Sequence, residues 1–138
     1  MHFPKSVCVS VNECFVHGIP STRPLEVGDK INIDVTVFID GYHGDNNLTV
    51  FYGKPEHDVK LQVREVAQKA LYDAIAICGP GQPISKLGLA IERVVKPERM
   101  WVCEEFSGHG VGELLHMPPM VYHRCTFPSK QTTRNTRQ

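Results

Sequence analysis

The stretch Ile33-Asp34-Val35-Thr36-Val37-Phe38-Ile39-Asp40-Gly41-Tyr42-His43-Gly44-Asp45 decides how this chain folds. Asp40-Gly41 is a strong hairpin signal, because Asp-Gly accepts the positive φ angles of a tight turn. Ile31 to Ile39 alternates only partly and is dominated by Ile, Val and Phe, which predicts a strand buried on both faces. Tyr42 to Phe51 then returns antiparallel. Asp34 lies inside the apolar run, where an ionised carboxylate is costly unless something positive compensates it. The hairpin brings Asp34 near Asp45, and two Asp on paired strands can share a cation. A third candidate ligand, His109, lies in Gly108-His109-Gly110-Val111-Gly112. On residue type alone the alternative stays open: one capping Asp, one turn Asp, and a histidine whose glycines mark tight backbone packing. If they are ligands, hard carboxylate oxygens and a neutral imidazole suit Mn, Fe, Co or Zn. Such a cation lowers the pKa of water and polarises a carbonyl.

Outward from the hairpin, Val7 to Val11 reads as a short β-branched strand, and Gly18-Ile19-Pro20-Ser21 as a turn. Downstream, Asp58 is the expected N-cap of a first helix. Its stripe is Val59, Val63, Val66, Ala67, Ala70, Leu71, Ala74, Ile75 and Cys78, and Gly79-Pro80-Gly81 stops it. Pro83-Ile84-Ser85 opens a second helix, with Ser85 expected as cap and Leu87, Ala90, Ile91, Val94 and Val95 as its buried face. Gly88 weakens that helix by about 1 kcal/mol at most. Trp101 to Phe106 reads as a short strand or extended loop leading to His109.

With 138 residues, 41% of them apolar, the chain has the size of one domain. Fifteen basic residues balance fifteen acidic ones, so net charge points neither to nucleic acid nor to a membrane surface. No apolar run approaches a membrane span. Arg124, Lys130, Arg134 and Arg137 fall in an acid-free C-terminal stretch, read as a solvated tail. Cys8, Cys14, Cys78, Cys103 and Cys125 form no CxxC pair, no secretory signal precedes them, and a reducing compartment is expected. Cys103 is a poor nucleophile, since Glu104 and Glu105 beside it raise its pKa. His17, before Gly18-Ile19-Pro20, and His116 can each donate to a substrate carbonyl or take a proton, or serve as ordinary surface or core histidines.

Pro4-Lys5-Ser6-Val7-Cys8-Val9-Ser10-Val11-Asn12-Glu13, His17-Gly18-Ile19-Pro20, Gly28 to Val37, Gly41-Tyr42-His43-Gly44-Asp45 and Gly108-His109-Gly110-Val111-Gly112 occur in this order. Together they resemble the type 1 methionine aminopeptidases, and Ser21-Thr22-Arg23-Pro24-Leu25 looks most like the mitochondrial or organellar branch. The resemblance covers about residues 4–122. It implies an α+β pita-bread fold and removal of the initiator methionine from nascent chains by a pair of divalent metal ions (Co, Mn, Fe or Zn). It further implies that Asp34 binds one metal, Asp45 bridges both, and His109 binds the second. By the same resemblance His17 contacts substrate near the scissile peptide, and His116 steadies the charge of the tetrahedral intermediate. Cys8 would line the methionine pocket, where a polarisable thiol suits a thioether.

The chain also departs from the pattern. The two glutamates that complete the family's metal centre, one of them its general base, have no counterpart in it; Glu104, Glu105 and Glu113 read as surface residues. Asn46 follows Asp45 where the family usually has Thr, and Leu115 precedes His116 where an aromatic is common. Residues 1–122 are therefore expected to form a partial catalytic domain, an incomplete pita-bread with an antiparallel sheet and two packed helices, and 123–138 a divergent tail. One metal or none is expected to be held, activity to be impaired by truncation, and an apolar sheet face and one edge to lie open. The rival expectation is an inactive fragment that binds a partner. Expected partners are N-terminal Met peptides and the ribosome, with no membrane and no specific nucleic acid. The expected state is a monomer, in the cytoplasm or the mitochondrion.

Overall fold

A computed structural model describes residues 3–55 and 58–125. The cap expected of Asp58 rests on a side chain outside the described residues, as does the fate of the tail beyond Cys125. The described residues form two compact units, one from 3–55 and 58–62 with 111–115, the other from 63–110 with 116–125.

The first unit carries an antiparallel sheet of order β1-β2-β3, built from β1 (Cys8–Val11), β2 (Lys30–Ile39) and β3 (Tyr42–Phe51). Asp40 (φ 52°) and Gly41 (φ 89°) make the two-residue turn between β2 and β3. Positive φ at both positions matches the right-handed twist of the flanking strands. That turn sets an unbroken register from Ile39↔Tyr42 to Lys30↔Phe51.

Burial on both faces of β2, expected from its composition, is not what the strand shows. Ile31 is buried, but Val37 and Ile39 are 47% and 65% exposed. The alternation is real: Ile31, Ile33, Val35, Val37 and Ile39 share one face, while Asn32, Asp34, Thr36 and Phe38 share the other. β2 is thus a two-faced strand with one polar side, and the apolar side is open toward the turn. The open face expected from the resemblance is present.

The loop between β1 and β2 is closed at its base by Asp29, itself buried. Its carboxylate accepts hydrogen bonds from Arg23 Nη1 at 2.7 Å, Asn12 Nδ2 at 2.6 Å and the Glu26 backbone N–H at 2.9 Å. Asn12 also accepts from the Lys30 backbone N–H, which ties the loop to β2. The Arg23 hydrogen bonds foremost, then the Glu26 N–H and Asn12, hold the Asp29 carboxyl far below the usual carboxylate range.

Helix α1 (Asp58–Ala76) and helix α2 (Ser85–Val95) fall where the periodicity puts them. The apolar stripe of α1 is only partly used. Ala70 and Ala74 are buried, whereas Val59, Val63, Leu71 and Ile75 are exposed, because contact follows one narrow i, i+4 line. Ser85 does not cap α2. Ile84 holds the N-cap position without a side-chain bond, and Ser85 is already helical. Gly88 has a packing reason: a Cβ there would lie 2.3 Å from the Arg124 carbonyl oxygen, so only glycine lets that backbone approach.

Trp101 to Phe106 is loop rather than strand. It leads to β4 (Gly108–Gly110), which pairs antiparallel with β5 (Met117–Val121) in a ribbon with an irregularity at His109/Gly110. Among the described residues no helix is long and apolar enough to cross a membrane. All five cysteines are free thiols.

Candidate active site

The polar face of the first unit is built by register. Asp34 stands opposite Asn47 on one side and Cys8 on the other, and Asp45 stands opposite Thr36. Strand pleat places all of them, with Asn32 and Ser10, on one face. Thr36 Oγ1 donates to Asp45 Oδ1 at 3.0 Å, Asn32 Nδ2 donates to Asn47 Oδ1 at 2.6 Å, and Asn47 Nδ2 returns a bond to Asn32 Oδ1 at 2.9 Å. Register makes the two carboxylates diagonal neighbours, and these cross-strand bonds run beside them.

Electrostatics shows what such a pair can hold. The half-buried Asp34 carboxyl is pushed up, first by desolvation, then by the charge of Asp45, then by a hydrogen bond shared with it. His17 and Asn47 pull it partly back. The Cys8 thiol is also pushed up, by burial and then by the charges of Asp34 and Asp45. Oxygen donors on one face, carrying more negative charge than their neighbours offset, fit a hard divalent cation.

His17 sits on the loop after β1 in the left-handed region (φ 56°), and its exposed imidazole influences Asp34. Gly18 beside it is buried. Its N–H donates to Ser10 Oγ at 3.0 Å, its carbonyl accepts from the Val9 N–H at 2.8 Å, and a Cβ would lie 2.2 Å from the Val9 carbonyl oxygen.

In the second unit the ribbon brings His109 and His116 together, with ring centroids 4.5 Å apart, edge to face. His109 Nδ1 lies 3.0 Å from the Gly110 carbonyl oxygen. With Nδ1 donating there, the ring carries its lone pair on Nε2, the atom a metal or proton would take. Both flanking glycines answer to β5: a Cβ on Gly110 would meet the Pro118 carbonyl oxygen at 2.5 Å, and one on Gly108 would meet Val121 Cβ at 3.2 Å. Tight backbone packing around this histidine is therefore real. Among the described residues no three His, Cys, Asp or Glu side chains stand in one metal-holding group.

Glu104, Glu105 and Glu113 are exposed, as expected. The Cys103 thiol is pushed up, chiefly by its hydrogen bond with Glu105. Reading the sequence missed Ser10, Asn47 and the role of His43, which binds the Gly112 carbonyl twice, through its backbone N–H at 2.8 Å and Nδ1 at 3.1 Å. Asn47 had a signal, since Asn32, Asp34 and Thr36 against Asp45, Asn47 and Thr49 repeat with the two-residue period of a polar strand face. Ser10 and His43 had none in the one-dimensional pattern.

The first unit pairs two carboxylates beside a thiol, and the second brings two imidazoles into contact; comparison with known proteins supplies the class. The family model for metallopeptidase family M24 matches residues 1–137, and the chain belongs to that family. Within it the chain is similar to organellar methionine aminopeptidases. It is 51% identical over 121 residues to methionine aminopeptidase 1D, chloroplastic/mitochondrial, of Arabidopsis thaliana, covering 88% of this chain and 34% of that protein. It is 46% identical over 123 residues to the mitochondrial methionine aminopeptidase 1D of Homo sapiens, covering 89% of this chain and 36% of that protein. The crystal structure of methionine aminopeptidase from Rickettsia prowazekii matches with TM-score 0.84 and 33% identity, over 90% of this chain and 50% of that one. A prolidase from Pyrococcus furiosus, 23% identical with TM-score 0.76 over 86% of this chain and 36% of that one, shares the fold. The α+β fold is therefore a partial pita-bread, and the chain spans about a third of the length of the curated relatives it matches.

Proposed function

We propose that this chain carries the first part of a methionine aminopeptidase centre, residues 1–122, which acts on the N-terminal methionine of nascent proteins. The observation that carries this reading is the Asp34–Asp45 pair, aligned by register, in which burial and then the charge of Asp45 raise the cost of ionising Asp34. Asp34 and Asp45 would hold divalent metal on the polar face, and the family resemblance makes His109 a further ligand. A metal ion at such residues supplies Lewis acidity and hydroxide at neutral pH. His17 donates to the peptide carbonyl of the substrate, and His116 stabilises the negative charge that develops on that oxygen. Cys8, its thiol kept neutral by burial and then by the nearby carboxylates, borders the methionine side chain. The names of the relatives support a mitochondrial or other organellar setting, with nascent chains, and the ribosome that presents them, as partners.

Two Asp and one His leave open positions, so the chain by itself is a weak catalyst. Calorimetry with Mn(II) and Co(II), with and without Asp45→Asn, tests the site. Saturable binding lost in the variant is expected, and equal binding by both overturns the assignment. Turnover of Met-Ala-Ser peptides by the 138-residue chain on the order of 1 to 10³ per second would show that the impairment is wrong. A second reading, a non-catalytic module that binds a partner, is favoured by the open apolar side of β2 at Val35, Val37 and Ile39. Copurification with a complementary chain, with no metal uptake, would support it.

A further inference from the structure

We infer that Ser10 is a positioning residue for His17, acting through the backbone of Gly18; the inference rests on His17 being the residue that meets substrate. Ser10 is only 1% exposed, the most buried side chain of the first unit. A hydroxyl so deeply buried needs a partner, and it has the Gly18 N–H at 3.0 Å. On the other side of the same residue, the Gly18 carbonyl accepts from the Val9 N–H at 2.8 Å. Gly18 is thus held at both ends by two consecutive residues of β1, one through its side chain and one through its main chain. The approach is so close that a Cβ on Gly18 would sit 2.2 Å from the Val9 carbonyl oxygen.

His17 is the residue immediately before this clamp, and it is left-handed at φ 56°. A non-glycine residue returns to the right-handed or extended regions unless its surroundings hold it. The clamp on Gly18 holds the chain immediately after His17. The Asn12–Asp29–Arg23 network closes the base of the loop, and Cys14 holds its start, its N–H donating to the Val11 carbonyl at 3.0 Å and its thiol to the Val16 carbonyl; the clamp on Gly18 fixes the chain on the other side of residue 17. The strand that supplies Ser10 also supplies Cys8 on the same face, opposite Asp34. Ser10 therefore ties the loop that carries the imidazole to the frame that carries the carboxylates.

The test uses the full 138-residue chain, labelled for histidine side-chain and backbone NMR, with Mn(II) as a paramagnetic probe. In the wild type, Mn(II) at the carboxylate face is expected to broaden the His17 ring signals. In Ser10→Ala, the Gly18 amide is expected to exchange about tenfold faster, the equivalent of one lost hydrogen bond. The His17 ring signals shift and lose most of their Mn(II) broadening, while the amides of β2 and β3 keep theirs. Ser10→Cys, which retains a weak acceptor in the same place, restores part of both effects. An unchanged His17 ring and Gly18 exchange rate in Ser10→Ala overturns the inference. Should Ser10→Ala fail to fold, Ser10→Cys decides alone: faster Gly18 exchange with wild-type His17 signals sinks the proposal. Absence of Mn(II) broadening anywhere in the wild type would instead count against the metallopeptidase reading, and the Gly18 exchange and His17 ring shift would still judge Ser10.

Discussion

The hairpin and the ribbon both present chemistry, and they do so by different means. On β2 and β3 the pleat lines up Asp34, Asp45, Thr36 and Asn47, and side chains hydrogen-bond across the strands. On β4 and β5 the side chains follow from the backbone: two glycines let the strands close in, and His109 and His116 meet as a result. A site made by register tolerates a change of neighbour but is sensitive to charge. A site made by close approach tolerates charge but not a methyl group.

The sharpest way to separate the two is Asp45→Asn. It removes one carboxylate and leaves the strands in place, so Mn(II) affinity measured by calorimetry should fall at least about 100-fold, beyond what losing a mere supporting partner costs. The matching change on the ribbon is Gly110→Ala. Its Cβ has no room beside the Pro118 carbonyl, so destabilisation of about 2 kcal/mol is expected, with loss of the His109–His116 ring contact in NOE spectra. A Gly110→Ala protein of wild-type stability would break the comparison.

Acid should distinguish the units in a different order. Burial depresses His123 from its ordinary 6.5, so the fold holds it neutral while the unfolded chain takes up a proton. Stability from His123 is present above that value and is lost as pH falls through the lowered one. Asp29 is likewise depressed, from 3.8, so its contribution persists until the pH drops below the carboxylate range. Amide exchange as a function of pH should therefore show the β4–β5 ribbon weakening first and the base of the β1–β2 loop only in stronger acid. His123→Gln should abolish the first step and Asp29→Asn the second. The mildest change is Thr36→Val, which removes one exposed bond to Asp45 and should lower stability by about 1 kcal/mol or less without shifting register.

How much was legible in the sequence follows the same divide. Asp40-Gly41 announces a two-residue turn, and a turn of fixed length dictates every pairing behind it, so Asp34 and Asp45 could be placed on one face from letters alone. β5 could not be read. Met117-Pro118-Pro119-Met120-Val121 carries two prolines, which argue against a strand except at a sheet edge, and β5 is one of the two strands of a ribbon. The expectation from composition that β2 is buried on both faces failed for a related reason. Composition reports what a strand could bury, not whether anything lies over it. Ser10 escaped because a buried serine is defined by its partner, and Gly18 lies across a loop. The helix signals were sound in extent but not at their ends, where Ile84 rather than Ser85 precedes the first turn.

The left-handed backbone at His17 has a consequence for how this loop can change over generations. Glycine is the residue that conformation suits best, so His17→Gly should relieve torsional cost and raise the melting temperature while discarding the ring. Selection for a sturdier fold and selection for retained chemistry pull on that codon in opposite directions. Any lineage that keeps histidine there is revealing which of the two it cannot do without.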